Sequence, residues 1–321
     1  MTSADPMPAL VVVAAQDVRT TIGLCLKAVA AQLGPGDAML VVDASRDGTA
    51  AAVRRDFPVI RLISGAPGAL IPQLWRDGLA ATTDGPWELV VLTTAHCVPD
   101  DGWLVGLRTA VSMPGTAAAG GPIEPGPEMG VCDWAVYLQR YSGMMRPLPR
   151  GPVADLAGDN AVYRRSALAD IDAATADLIA TGFWEPFVHA ALQRQGWRLT
   201  TAPDAVVRYH RSYGVRAFCV QRFRHGRSYG AWRTVMQPGR LRAVRAGTAP
   251  FVPILLLGRI ALRVRRKGRF GREFLRAAPL LALFLVAWAA GELVGVVAGS
   301  PDVPSGVAQR AIGMTARSGR R

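Results

Sequence analysis

The sequence predicts an α/β protein, a mostly parallel sheet with helices on both faces, followed by membrane-associated helices toward the C-terminus. Three observations carry this reading. Short apolar runs alternate with amphipathic stretches over roughly the first hundred residues. Carboxylates and turn-forming residues cluster just after those runs, where open parallel sheets bind ligands. Late in the chain, Ala277 to Gly299 is apolar except for Glu292 and follows a densely basic block.

The elements follow in order. Leu10 to Ala14 is a first strand, too short and too poor in flanking basic residues to be a secretory leader. Ile22, Leu26, Val29 and Leu33 recur at helical spacing, so Thr20 to Gln32 is a helix stopped by Gly34-Pro35-Gly36. Ala38 to Val42 is a strand, Thr49 to Asp56 a helix and Val59 to Ser64 a strand. Pro72 to Ala81 is a helix, Trp87 to Thr93 a fourth strand, and another helix begins near Trp103, capped by Asp100 or Asp101. Residues 120–151 are rich in Gly and Pro and carry little periodicity. Beyond them come a helix over Phe183 to Gly196 and a strand near Ala205 to Tyr209.

Composition narrows the function classes. With 321 residues, half of them hydrophobic, a large core is available. A formal charge of +13 implies an anionic partner. Much of that charge lies after Arg208, among aromatics and apolar runs, which suits anionic membrane lipids rather than nucleic acid; no zinc-finger or RNP-like pattern accompanies it. The four cysteines form no C-x-x-C pair and read as small residues in a reducing compartment. A dinucleotide-binding dehydrogenase is excluded, since no G-x-G-x-x-G follows the first strand.

Chemistry concentrates in four segments. In Val41-Val-Asp-Ala-Ser-Arg-Asp-Gly-Thr49 a carboxylate leaves a strand end and Asp47-Gly48-Thr49 opens the next helix. Asp43 suits a hydrogen bond from a uracil-like N–H. Leu92-Thr-Thr-Ala-His-Cys-Val-Pro-Asp-Asp-Gly-Trp-Leu104 ends a later strand. Gly158-Asp-Asn-Ala-Val-Tyr-Arg-Arg165 and Gly182-Phe-Trp-Glu-Pro-Phe-Val-His189 follow. Taken in order, these segments resemble glycosyltransferase family 2, whose Val-Asp-Asp-Gly-Ser-x-Asp-Gly-Thr and Asp-x-Asp motifs they parallel over residues 8–235.

The resemblance implies a GT-A fold and inverting transfer from a nucleotide-diphosphate sugar. It places Ala14 or Ala15 and Asp43 at the nucleotide base, with Asp47 close by. Asn160 would meet the donor sugar, and Arg164 or Arg165 the diphosphate. It also implies a divalent metal, Mg²⁺ or Mn²⁺, held by an Asp-x-Asp pair. This chain has Thr94-Ala95-His96 there, so His96 stands as a metal ligand, a phosphate donor or a structural hydrogen-bonder. Glu185 matches the catalytic base that takes the acceptor hydroxyl's proton, with His189 one turn on to orient it or to pack. Arg222, Arg224 and His225 fall in a basic segment suited to the leaving diphosphate or to anionic lipid.

Phe251 to Val264 is too short to span comfortably and reads as an interfacial or re-entrant helix within a basic linker over residues 236–276. Residues 277–299 form a transmembrane or membrane-inserted helix, and 300–321 a basic tail. Arg263 to Arg276 holds seven Lys or Arg, which predicts a cytoplasmic face for both that segment and the catalytic domain at the cell membrane. A bend near Gly291-Glu292 would keep the tail on the same side. The expected acceptor is lipid-linked or membrane-proximal. The alternative is a non-catalytic, membrane-bound sugar-nucleotide sensor or scaffold, suggested by the missing acidic pair.

Overall fold

A computed structural model of the chain describes residues 7–235 and 251–300. The basic tail over 301–321 and residues 236–250 of the linker lie outside the described residues. The chain divides into two compact units. One holds residues 1–127 and 144–211, the other 128–143 and 212–321. The first unit therefore closes at Arg211, ahead of the boundary near 235 expected from sequence.

In the first unit the opening elements match the sequence pattern. They are β1 (Ala9–Ala15), α1 (Ile22–Ala30), β2 (Ala38–Asp43), α2 (Thr49–Asp56), β3 (Arg61–Ser64), α3 (Ile71–Ala80) and β4 (Leu89–Thr94). β1 is buried along its whole length, as a central strand covered on both faces must be, which explains its unbroken apolar run. Helix α3 lies directly on it. A Cβ at Gly78 would stand 2.4 Å from Val12 Cγ1, so glycine sets that separation.

The remaining elements are β5 (Cys97–Pro99), α4 (Trp103–Val111), β6 (Thr116–Gly120), β7 (Ile123–Pro125), β8 (Pro152–Val153), β9 (Asn160–Arg164), α6 (Arg165–Ala169), α7 (Ala173–Ile179), α8 (Glu185–Arg194), β10 (Arg198–Thr201) and β11 (Val207–Tyr209); α5 (Val131–Tyr141) belongs to the second unit. The main sheet runs β3-β2-β1-β4-β9-β6-β10-β8, and β5-β11-β7 form a second, small sheet. β9 is antiparallel to both its neighbours, and β8 pairs antiparallel with β10; the other pairings in the main sheet are parallel. The fold is thus α/β with a large, mostly parallel sheet flanked by helices.

Register decides what meets what. Ala15 stands beside Asp43, Ala14 beside Thr94, and Thr93 beside Asn160. The carboxyl ends of β1, β2 and β4 therefore meet the start of β9 at one edge. The other end of β9 places Arg164 beside Leu89, where β4 begins.

The second unit packs α5 and α9 (Val215–Val235) with α10 (Val252–Lys267) and α11 (Gly271–Ala298). Helices α9 and α11 lie backbone to backbone. A Cβ at Gly226 would stand 2.2 Å from the Trp288 carbonyl oxygen and one at Gly230 2.3 Å from that of Glu292. The reverse holds for Gly291 against Phe223 and Gly295 against Arg227, at 2.1 and 2.0 Å. Two Gly-x-x-x-Gly faces interlock, the geometry that lets helices approach closely. Glu292 is buried in this seam and accepts a 2.6 Å hydrogen bond from Arg233. Helix α11 runs unbroken through Gly291 and Glu292, where sequence reasoning placed a bend. It is the one helix among the described residues long and apolar enough to cross a membrane.

Candidate active site

The β2 end and the loop after it form the first wall. Asp43 is buried, and Ser45 Oγ donates to its Oδ1 at 2.5 Å. Burial is the largest influence on Asp43 and lifts its carboxyl above the usual range against the hydrogen bonds from Ser45. Asp47 behaves oppositely. Burial pushes it up, but hydrogen bonds from Thr49 and the Arg19 backbone N–H outweigh that and leave it below its ordinary value. It ties the loop and opens α2, with Gly48 supplying the left-handed turn at φ 87°. Ala14 and Ala15 are fully buried at the β1 end.

The second wall lies between β4 and β9. His96 is 1% exposed. Its Nε2 is 3.2 Å from Thr94 Oγ1 and 3.6 Å from Asp159 Oδ1, and its ring meets Tyr209 edge-on. Thr94 Oγ1 also donates to Asp159 Oδ1 at 3.0 Å. Asp159, one residue before β9, thus supplies a buried carboxylate at the position where the acidic pair is missing. Donor atoms of His96, Cys97 and Asp159 lie within 4.8 Å of one another. An imidazole, a thiol and a single carboxylate make a softer donor set than the all-oxygen shell that Mg²⁺ favours.

The third element is Glu185, the first residue of α8. The Gly158 backbone N–H donates to its Oε1 at 3.2 Å. A Cβ at Gly158 would stand 2.7 Å from that oxygen and 2.8 Å from the Trp75 ring, so only glycine admits this approach. Trp75 is itself fixed by its Nε1 donating to the Thr93 carbonyl. Burial, with added repulsion from Asp159 and Asp155, pushes the Glu185 carboxyl up to about 8. Hydrogen bonds from backbone N–H groups, including that of Gly158, only partly offset this. Desolvation therefore overrides the favourable end of the helix dipole at this site.

Several sequence expectations require correction. Arg164 and Arg165 cannot approach a diphosphate at the strand ends. Arg164 lies at the opposite end of β9 and donates to the carbonyls of Thr116 and Val111, while Arg165 donates to that of Gly85. Asn160 is 1% exposed, and its amide is committed to protein. Trp103 Nε1 donates to Oδ1, and Nδ2 donates to the carbonyls of Pro122 and Ala205. It joins the two sheets rather than presenting a group to a sugar. His189 does not orient Glu185: it bonds Tyr163 Oη at 2.8 Å and Asp155 Oδ1. Asp100 does not cap α4 with its side chain. Its carboxylate grips Arg208 through two 2.9 Å bonds, and Gly102 is the cap residue.

Arg222, Arg224 and His225 lie on α9 in the second unit. Arg222 is buried, with Nε donating to Gln221 and its guanidinium over the Phe218 ring. Arg224 is exposed. Burial, then the charges of Arg222 and Arg140, holds His225 well below its ordinary value, hence neutral.

Sequence reasoning missed Asp159, Asp155, Tyr163 and Trp75 as parts of this assembly. Asp159 stood inside the quoted Gly158-Asp-Asn segment, but only the antiparallel placement of β9 aims it at His96.

No protein-family model matches the chain, and no curated protein matches it. Solved structures do. The mannosyltransferase PcManGT from Pyrobaculum calidifontis, in complex with GDP-Man and Mn²⁺, aligns with TM-score 0.46 and 17% identity, over 98% of this chain and 81% of that one. GalNAc-T7 with UDP, GalNAc and Mn²⁺ aligns with TM-score 0.47 and 14% identity, over 65% of this chain and 45% of that one. A mycobacterial protein gives 0.45 and 16%, over 65% and 69%.

Proposed function

We propose that this chain is a glycosyltransferase that moves a sugar from a nucleotide-diphosphate donor to a membrane-linked acceptor with inversion. The observation that carries the reading is Glu185. It is a carboxyl bonded to the Gly158 N–H just ahead of β9, beside Asp159, with burial the largest influence lifting it to about 8. A carboxyl tuned near working pH is what a general base requires. In its ionised form Glu185 takes the proton from the acceptor hydroxyl. The hydroxyl oxygen bonds to C1 of the sugar as the C1–oxygen bond to the diphosphate breaks. The electron pair of that bond leaves with the nucleoside diphosphate.

Asp43, at the end of β2, accepts a hydrogen bond from the nucleotide base, while Ala14 and Ala15 leave room beside it. Asp47 holds the loop that carries this contact. His96 Nε2 and the Asp159 carboxylate, with the Cys97 thiol beside them, are the groups that would hold a divalent metal, a set softer than Mg²⁺ favours. When bound, such an ion neutralises diphosphate charge. Asp159 restores a carboxylate where the acidic pair is lost, which favours transfer over the sensor or scaffold reading.

The membrane link rests on the second unit. Ile254, Leu255 and Leu262 on α10 and Leu275, Leu283, Val286 and Val297 on α11 are exposed. Arg259 and Arg263 line a cavity with Trp288, near the middle of the apolar stretch. Burying such charges at mid-bilayer is costly, so an apolar face lying on the membrane fits better than a full crossing. The seven basic residues of 263–276 favour the cytoplasmic side. Glu185→Gln tests the core of the proposal. Transfer should fall by about 10²–10⁴ with folding intact. Wild-type transfer by that variant would remove Glu185 as the base.

A further inference from the structure

A cavity of about 160 Å³ lies within the second unit, between α5, α9, α10 and α11. Arg222, Arg259 and Arg263 line it, and among the described residues no Asp or Glu does. Its other wall is apolar, built from Leu256, Ile260 and Trp288. The arginines come from two helices and converge on one space. Arg222 is 7% exposed and braced by Gln221 and the Phe218 ring. Arg263 donates to Ser142 Oγ at 3.4 Å, a long bond that leaves most of its fork for other partners.

Charge of one sign is therefore gathered at a half-open cavity, with Arg222 buried and Arg259 and Arg263 reaching its exposed side. Burial and the neighbouring Arg259 depress the Arg263 guanidinium, and burial, then the charges of Arg222 and Arg140, keeps His225 neutral. The Gln139 side-chain oxygen, also at this cavity, is buried with no hydrogen-bond partner. It calls for a donor such as a hydroxyl. Glu292 of α11 is itself paired with Arg233 of α9.

We propose that this cavity binds the anionic phosphate headgroup of a membrane lipid. The arginines would hold the phosphate oxygens, which guanidinium forks match in geometry. Gln139 would accept from a headgroup hydroxyl, and the lipid's first methylenes would cover Leu256, Ile260 and Trp288. A lipid is favoured over a free anion because the same unit carries the apolar surface of α10 and α11. That surface would bring lipid to the cavity. The proposal does not depend on sugar transfer and would survive its loss.

The test uses the purified full chain in neutral detergent, titrated calorimetrically with dihexanoyl phosphatidic acid and, separately, with inorganic phosphate. Arg259→Gln/Arg263→Gln is compared with Arg265→Gln/Arg266→Gln, which removes equal charge from exposed positions on the same helix that do not line the cavity. Saturable binding of the lipid is expected, weakened about tenfold or more in the cavity pair and within about twofold of wild type in the control pair. Inorganic phosphate should bind at least about tenfold more weakly, since it leaves the apolar wall uncovered. Equal losses in both pairs would mean diffuse surface attraction and overturn the site. Equal affinity for inorganic phosphate would overturn the lipid assignment, as would no saturable binding. If the double variant melts early, Arg259→Gln alone carries the comparison, because Arg259 is exposed and its loss leaves packing intact.

Discussion

Replacing Glu185 with Gln should make the protein more stable, and increasingly so as pH rises. Glu185 has an ordinary value of 4.5 and is held at about 8 in the folded chain. Between those values the unfolded chain has released this proton while the folded chain retains it. Folding stability therefore falls by roughly 1.4 kcal/mol per pH unit over that window and levels off above about pH 8. The full span corresponds to about 5 kcal/mol, a ceiling because buried carboxyls relax and admit water. Glutamine does not titrate, and its Oε1 can still accept from the Gly158 N–H. Denaturant unfolding of both proteins at pH 5 and pH 8.5 provides the assay. The stability difference should grow by about 3–5 kcal/mol in favour of Glu185→Gln between the two conditions. Parallel pH curves would refute the reasoning, since they would mean that Glu185 ionises normally and is neither buried nor tuned.

Other outcomes follow from the same geometry. Transfer by the wild-type protein should rise with pH and level off above about 8, as Glu185 becomes ionised; a flat profile in kcat/KM from pH 6 to 9 would contradict this. Asn160→Ala strands three buried hydrogen-bonding groups at Trp103, Pro122 and Ala205, so it should cost about 2–5 kcal/mol in unfolding experiments. Arg164→Ala should lower stability by about 1–3 kcal/mol yet leave the donor KM within about twofold, because Arg164 sits at the far end of β9. His96→Ala and Asp159→Asn should each weaken Mn²⁺ binding about tenfold or more by calorimetry. Unchanged Mn²⁺ affinity in both variants would remove the pair as ligands.

The early sheet was legible because β1, β2 and β4 open on unbroken apolar runs with a turn signal behind each, while β3, with only Leu62 and Ile63 apolar, follows from its place between two helices. The run Leu10 to Ala14 allowed no other reading once its length and flanks were weighed. Helix α5 was not legible: it lies in a stretch bounded by Gly120, Gly121, Pro122 and Pro147, where glycine and proline mask an amphipathic segment of eleven residues. The candidate site divides along the same line. Asp43 and Glu185 follow element boundaries, and local sequence marks those. The places of Arg164 and Asn160 depend on β9 being an antiparallel strand inserted between β4 and β6, a pairing set by residues far away in the chain. Placing that segment by its resemblance to the family motif put Arg164 near the diphosphate. Pairing it as a strand sends Arg164 to the other end and brings Asp159 beside His96.

The central claim is sugar transfer, and turnover measures it most directly. Purified full-length protein, with Mn²⁺ and a membrane extract as acceptor source, should release nucleoside diphosphate from at least one of UDP-, GDP- or dTDP-linked sugars, and Glu185→Gln should release it about 10²-fold more slowly or worse. Saturable donor binding without turnover for every donor, or equal turnover by the variant, would contradict the account.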